Sequence, residues 1–409
     1  MRLIILLNLL IVLNISTFSA DKIPKSNVQY PFKMEDVSQR LNHYRAELDS
    51  FRNSYGGSYA LPHVKFFQFG MGNRDKFIYK NGVLKNSLSG DTVKVWKIKD
   101  ELILPAEYSV FLITQDGEQI CISEDQSGVR IIDHQGITLI AKTDSKILLP
   151  DFKGNHFPQL LRVLNHEILI NILDSKPLPN FFVYQKPWRR DGAMMAMCLE
   201  KTGNTQLIKK WVLSITEPYD YNNAGEAEAD NLGQTLYLLS LFTDKSHPLV
   251  SRILKEALKY EVKTAKGTYI KGRSDFHETP VYQTKWLKFG LGKLNIHDKY
   301  SIPNIEDNYS SLFWWEYKNN YMPGTKDAYE PGNSDKYPYL GWASDNFHGL
   351  KRNPISNLNY PLTWEIEASQ ADYTGLSVID PVLVTAKCAA PHTWHASEVF
   401  LYVLQGEGK

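Results

Sequence analysis

A chain of 409 residues with 46 Lys+Arg against 45 Asp+Glu has a formal charge of +1, so no long-range field draws it to nucleic acid or to an anionic membrane surface. Its three cysteines, Cys121, Cys198 and Cys388, lie far apart and cannot all pair, which argues against a disulfide framework or a cysteine zinc site. Aromatic residues are plentiful, with nine Trp and 23 Tyr, and many stand beside charged groups, where a ring can stack on the apolar face of a sugar or simply pack.

Arg2 precedes an apolar run over residues 3–15 that is broken by Asn8 and Asn14. That run is shorter than the roughly 20 residues a bilayer span needs and matches the apolar stretch of an export signal. Ser19 and Ala20 follow, so residues 1–20 read as a signal peptide cut before Asp21, and the mature chain is expected in the periplasm or the medium. No later stretch is apolar enough for stable membrane insertion.

Over residues 33–54 the apolar side chains Val37, Leu41, Tyr44, Leu48 and Phe51 recur every three or four positions, the period of an amphipathic helix. Residues 60–150 change to short β-like runs punctuated by Asn81-Gly82, Asp116-Gly117, Ser127-Gly128 and Gln135-Gly136, turns whose glycines supply the positive φ of hairpins. A small β-sandwich-like domain is expected there. From residue 155 to 409 helical patterns dominate, at 191–201, 231–242, 249–260, 307–317, 364–373 and 393–404. Long loops rich in Gly, Pro, Asn and aromatics separate them at 215–230, 264–285, 318–350 and 351–363.

Five segments carry the chemistry. In Pro187-Trp188-Arg189-Arg190-Asp191-Gly192-Ala193 an acid and a planar cation open an apolar helix. Asp191 can accept from two vicinal hydroxyls while Arg190 donates, or Asp191 can cap the helix with Arg190 as its partner. In Gly225-Glu226-Ala227-Glu228-Ala229-Asp230-Asn231 an extended approach puts Glu226, Glu228 and Asp230 on one side, and their mutual repulsion requires a cation, a proton or a ligand. Residues 273–286 crowd acids, a histidine and aromatics together, with Glu278, Tyr282, Lys285 and Trp286 as contacts along a pocket wall. In Thr363-Trp364-Glu365-Ile366-Glu367 the two glutamates lie about 200° apart around a helix, so one of them faces a pocket and the other is structural. Lastly, His392, His395 and Glu398 share a helix face; without a third strong ligand group they read as polar contacts and not as a metal site. Asp345 sits in a further aromatic-acid loop, 337–349. The chain has no glycine-rich phosphate loop, dinucleotide fingerprint or serine nucleophile elbow, so no cofactor is expected.

Taken together, Trp188-Arg189-Arg190-Asp191-Gly192-Ala193, the acidic stretch to Asn231, Thr363-Trp364-Glu365 and His392-Thr393-Trp394-His395 with Glu398 resemble the six-hairpin glycosidases, nearest in style to the glucoamylase type, over residues 180–409. The resemblance implies a mainly α protein, an (α/α) toroid catalytic domain over 155–409 behind a small N-terminal antiparallel β-domain. It also implies that Arg190 and Asp191 hold the terminal sugar and that two glutamates act as acid and base. Glu226, Glu228 and Glu278 compete for the mid-domain position, with Glu226 or Glu228 as the acid, and Glu365 or Glu367 is the late one. The expectation is an exported glycoside hydrolase acting on an oligosaccharide or polysaccharide from a chain end, with Trp188, Trp286 and Trp364 stacking on sugar rings. Two rivals stand beside it: a polysaccharide lyase using Tyr282, Lys285, His392 or His395 as base, and a non-catalytic glycan-binding protein.

Overall fold

The structure is a computed structural model; it describes residues 32–54, 66–142, 145–182, 184–274, 277–278, 280–303 and 393–405. Helix α1 (Met34–Ser54) buries Val37, Leu41, Tyr44, Leu48 and Phe51 as one stripe. It is followed by a four-stranded antiparallel sheet, β1 (Phe67–Phe69), β2 (Phe77–Lys80), β3 (Val83–Asn86) and β4 (Thr92–Val95), in sequence order. Asn81 and Gly82, both at positive φ, make the tight turn between β2 and β3. A five-stranded meander continues with β5 (Ile98–Leu104), β6 (Ser109–Thr114), β7 (Gln119–Asp125), β8 (Gly128–Asp133) and β9 (Gly136–Ala141). Its central strands are buried on both faces. Phe111, in β6, meets Phe32 edge-on at 5.0 Å, just ahead of α1.

The second half contains α2 (Pro158–Ile170), the short hairpin β10 (Ile172–Leu173) and β11 (Lys176–Pro177), α3 (Arg189–Thr202), α4 (Lys209–Leu213), α5 (Asp230–Ser240) and α6 (Pro248–Ala257). Two more hairpins follow, β12 (Glu261–Thr264) with β13 (Gly267–Ile270) and β14 (Arg273–Ser274) with β15 (His277–Glu278), then α7 (Pro280–Lys293) and α8 (Thr393–Gln405). Helix α5 packs along α7, α3 against α5, and α8 against both α2 and α3. The α5–α7 contact is close because both helices carry a glycine there. A Cβ on Gly233 would stand 2.1 Å from the carbonyl carbon of Trp286, and one on Gly290 2.6 Å from the carbonyl oxygen of Gly233.

The strands and the helices are tied together through α2. Its buried His166 stacks on Phe67 at 4.9 Å and on Tyr108 at 5.5 Å, and its Nε2 hydrogen-bonds the Gln68 carbonyl at 3.0 Å. Burial without a charge partner depresses this imidazole to about 3, so it is neutral. Glu47 of α1 accepts the Leu160 N–H at 2.8 Å, where the α2 dipole favours an anion. The loop between β1 and β2 holds a buried ionic knot. Arg74 bonds Glu124 at 2.7 Å, Glu124 accepts from the amides of Gly70 and Met71, and Lys76 donates to the carbonyls of Gly70 and Gly72. Gly72 N–H in turn reaches the Leu169 carbonyl at 2.8 Å.

This architecture corrects the expected mainly α, (α/α) toroid. The chain is α+β, with antiparallel sheets forming a large part of it, and it is not an α/α toroid. A toroid needs helices that alternate around a ring, whereas here the hairpins β10–β11, β12–β13 and β14–β15 interrupt the helical half. The stretch 264–285, expected as a loop, divides into strands and the start of α7. Alternating Val262, Thr264, Thr268 and Ile270 flank the Lys266-Gly267 turn, and Pro280 opens a helix at the position proline favours. The helix α2 is an addition to the helices expected from periodicity. The segments expected as helices at 307–317 and 364–373 lie outside the described residues.

Candidate functional site

The site begins at the N-terminus of α3. Trp188 is extended (φ −94°, ψ 143°) and half-buried, and its ring meets Tyr184 edge-on at 6.1 Å. Arg189, Arg190 and Asp191 then fill the first helical turn and are all buried. Two cations at the positive end of a helix oppose its dipole, so each requires acceptors from elsewhere. Arg189 receives them from the 217–220 segment and α5. Its backbone N–H bonds Asp220 at 2.6 Å, its Nε bonds the Thr235 hydroxyl at 3.2 Å, and its guanidinium lies over Trp211.

Arg190 is the centre of the arrangement. Its Nε donates to Asp230 Oδ2 at 3.0 Å and its Nη2 to Glu228 Oε1 at 3.1 Å, with both carboxylates buried. Asn223 Nδ2 donates to the same Glu228 oxygen at 3.1 Å. Asp230 Oδ2 also accepts from Gln234 Nε2 at 2.8 Å, one helical turn on, and that amide group reaches the Tyr282 hydroxyl of α7 at 3.4 Å. The guanidinium stands 5.5 Å from the Trp394 ring of α8, and Trp394 stacks on Tyr282 at 6.5 Å with 18° between the planes. Helices α3, α5, α7 and α8 thus send charged, amide and aromatic groups to one place.

A relay of hydrogen bonds positions Asp230. On α7, Gln283 accepts from Gly272 N–H at 2.7 Å and donates to the Gly272 carbonyl at 2.8 Å. The adjoining Arg273 carbonyl accepts from Ala229 N–H at 3.0 Å, immediately before α5. The approach to α5 is itself bent tightly, with Tyr221, Ala224 and Gly225 all at positive φ. For the two non-glycine residues this costs about 1 kcal/mol or more each. Asn222 Nδ2 anchors the bend to the Pro187 carbonyl at 2.9 Å, next to Trp188.

Several expected roles change. The stretch 225–231 is not extended with three acids on one side, since Glu226 is exposed while Glu228 and Asp230 are buried around Arg190. The cation required to offset their repulsion is Arg190 itself. Neither Asp191 nor Asp230 caps its helix, since the N-cap positions are Trp188 and Ala229 and neither makes a side-chain cap. Glu278 is removed from the group, forming an exposed ion pair with Lys271 at 3.0 Å. Trp286 is fully buried between Tyr282 and Phe289, a core residue unable to stack on a ligand. Tyr282 and Lys285 are fully buried on α7. Asp345, Trp364, Glu365, Glu367 and His392 lie outside the described residues, and His395 belongs to α8.

The structure adds Asn223, Gln234, Gln283 and Trp394 to the site. A signal for Gln234 existed: Asp230, Asn231, Gln234 and Thr235 interrupt an otherwise apolar helix, and buried polar groups require partners. No such signal marked Gln283. No helix among the described residues is long and apolar enough to cross a membrane. Comparison with protein-family models, with curated proteins and with solved structures finds no match for the chain.

Proposed function

We propose that the chain is an exported glycoside hydrolase that trims oligosaccharides from a chain end by carboxylate acid/base chemistry. The observation that supports this reading is the convergence on Arg190 of Glu228, Asp230 and the Trp394 ring, drawn from two other parts of the chain, the 228–230 segment and α8. Fixed carboxylates accept from sugar hydroxyls, a planar guanidinium donates to them, and a half-buried ring such as Trp188 can cover an apolar face of the sugar.

Within this reading the two mid-chain glutamates divide the work. Glu228, held by Arg190 and Asn223, orients the sugar. Glu226, exposed two residues earlier, delivers the proton to the leaving oxygen, and Glu365 or Glu367 serves as the base. Arg190 and Asp191 lie at the innermost sugar.

The charge balance argues against the lyase alternative. A lyase needs a cation to neutralise the substrate's uronate carboxylate, but Arg190 already faces two carboxylates, so its charge is overmatched. An uncharged glycan suits this surrounding better. Incubation with a panel of neutral and uronate-containing oligosaccharides tests the reading: saturated, shorter products from the neutral set are expected, and Glu226→Gln should abolish them. Unsaturated products absorbing near the ultraviolet edge, or binding without any product, would overturn it.

A further inference from the structure

We propose that Glu118, Asp133 and His134 form a binding site for a divalent transition ion of the Zn2+ class at one end of the five-stranded sheet. None of these residues belongs to the Arg190 cluster. The fold brings them together because β7 and β8 are antiparallel neighbours, with Cys121 opposite Ile132. The start of β7 and the end of β8 therefore lie side by side, and the turns that precede β7 and follow β8 project from the same sheet end. Gly117 and Gly136, both at positive φ, make these turns tight.

One ligand atom from each of the three side chains lies within 4.8 Å of the other two. An ion bonded at roughly 2.0–2.2 Å to each would hold those atoms about 3–4 Å apart, so rotation of the side chains closes the site on an unchanged backbone. His134 Nδ1 already hydrogen-bonds Glu118 Oε1. An ion would take the place of the proton shared between them, the proton leaving to solvent.

The donor set decides the class of ion. One neutral imidazole nitrogen and two carboxylates neutralise a dication, and the exposure of His134 leaves room for a water as fourth ligand. A nitrogen donor selects Zn2+, Co2+ or Ni2+ over Mg2+ and Ca2+, which take oxygen. It also distinguishes this group from an ordinary acidic surface patch. Asp116, in the same turn as Gly117 and close enough to act electrostatically on His134, adds a third negative charge nearby. Bound there, the ion would clip the two turns together and stabilise the sheet by mass action.

The test uses the full chain near neutral pH, titrated with ZnCl2 by calorimetry and with CoCl2 by visible absorption. The expected result is saturable binding of both ions, a rise in the unfolding temperature with Zn2+, and no comparable effect of Mg2+. His134→Ala, at an exposed position, and Asp133→Asn, at a half-buried one, should each weaken binding roughly tenfold or more and abolish the thermal shift. Binding that survives both substitutions, equal binding of Mg2+, or no binding at all would overturn the proposal.

Discussion

The Nε of Arg190 lies 3.0 Å from Asp230 Oδ2, forty positions along the chain, with both side chains buried. The same guanidinium holds Glu228 through a different nitrogen, so one planar cation sets the spacing of two carboxylates. Lys in its place carries the charge at a single point and cannot reproduce the fork. Arg190→Lys is therefore expected to be strongly destabilising, and Asp230→Asn to cost less, about 1–3 kcal/mol for weakened charged hydrogen bonds, because Glu228 still neutralises the guanidinium. Denaturant midpoints of the two single variants and the double variant measure this. Strict additivity in that cycle would show that the pair does not act as a unit.

Gly233 gives the second prediction. In a helix interior, Gly→Ala alone would gain close to 1 kcal/mol from backbone propensity. Here the added methyl meets the backbone of Trp286 at 2.1 Å, which cannot rotate aside, so α5 and α7 must separate. Gly233→Ala is expected to destabilise by about 2–3 kcal/mol net, with Gly290→Ala behaving likewise. Thermal unfolding of each variant against the parent reads the sign directly.

His166 makes stability acid-sensitive. Its folded value is about 3 against 6.5 for the free imidazole, chiefly through burial. Between those values the unfolded chain binds the proton and the folded one does not, so stability is lost as pH falls from 6.5 towards 3. The loss amounts to a few kcal/mol for a fully buried group. His166→Phe, which keeps a ring against Phe67 and Tyr108, should flatten this limb of the profile; an unaltered acid limb would contradict the assignment.

Lys76 acts at the opposite end of the scale. Burial lowers its ammonium to about 7 from 10.5, although Glu124 pulls the other way. Above pH 7 the folded state has released a proton that the unfolded state keeps until about 10.5, so this group makes stability rise with pH across that window. Lys76→Met should remove that rise, and urea midpoints of both proteins at pH 7 and pH 9 check it. A parent whose stability does not climb relative to the variant would show that the buried amine stays charged.

How much of this was legible beforehand differs from element to element. The stripe Val37, Leu41, Tyr44, Leu48 and Phe51 announces α1, and Asn81-Gly82 announces a hairpin, because each is a local matter of period or of positive φ. Helix α7 was hidden by its composition. Its face is aromatic and polar, with Tyr282, Gln283, Lys285 and Trp286 all buried, so it shows no contrast between an apolar and a solvated side. The same lack of contrast made Trp286 resemble a sugar-stacking ring when its surroundings, Tyr237, Tyr282 and Phe289, make it core.

The sequence by itself determined the local frame: a near-neutral chain, α1, the glycine-set turns of the sheets, and an apolar helix opened by the Arg190-Asp191 pair, which the structure starts at Arg189. Only the tertiary structure decided that Arg190 serves Glu228 and Asp230, that Glu226 stays exposed, and that Trp394, some two hundred residues distant, covers the guanidinium. The reason is physical. Periodicity states which face of an element avoids water, but a buried charge is satisfied by whichever partner the packing delivers. Here that delivery depends on two glycines that let α5 and α7 meet, and on one glutamine that fastens Ala229 in place through Gly272.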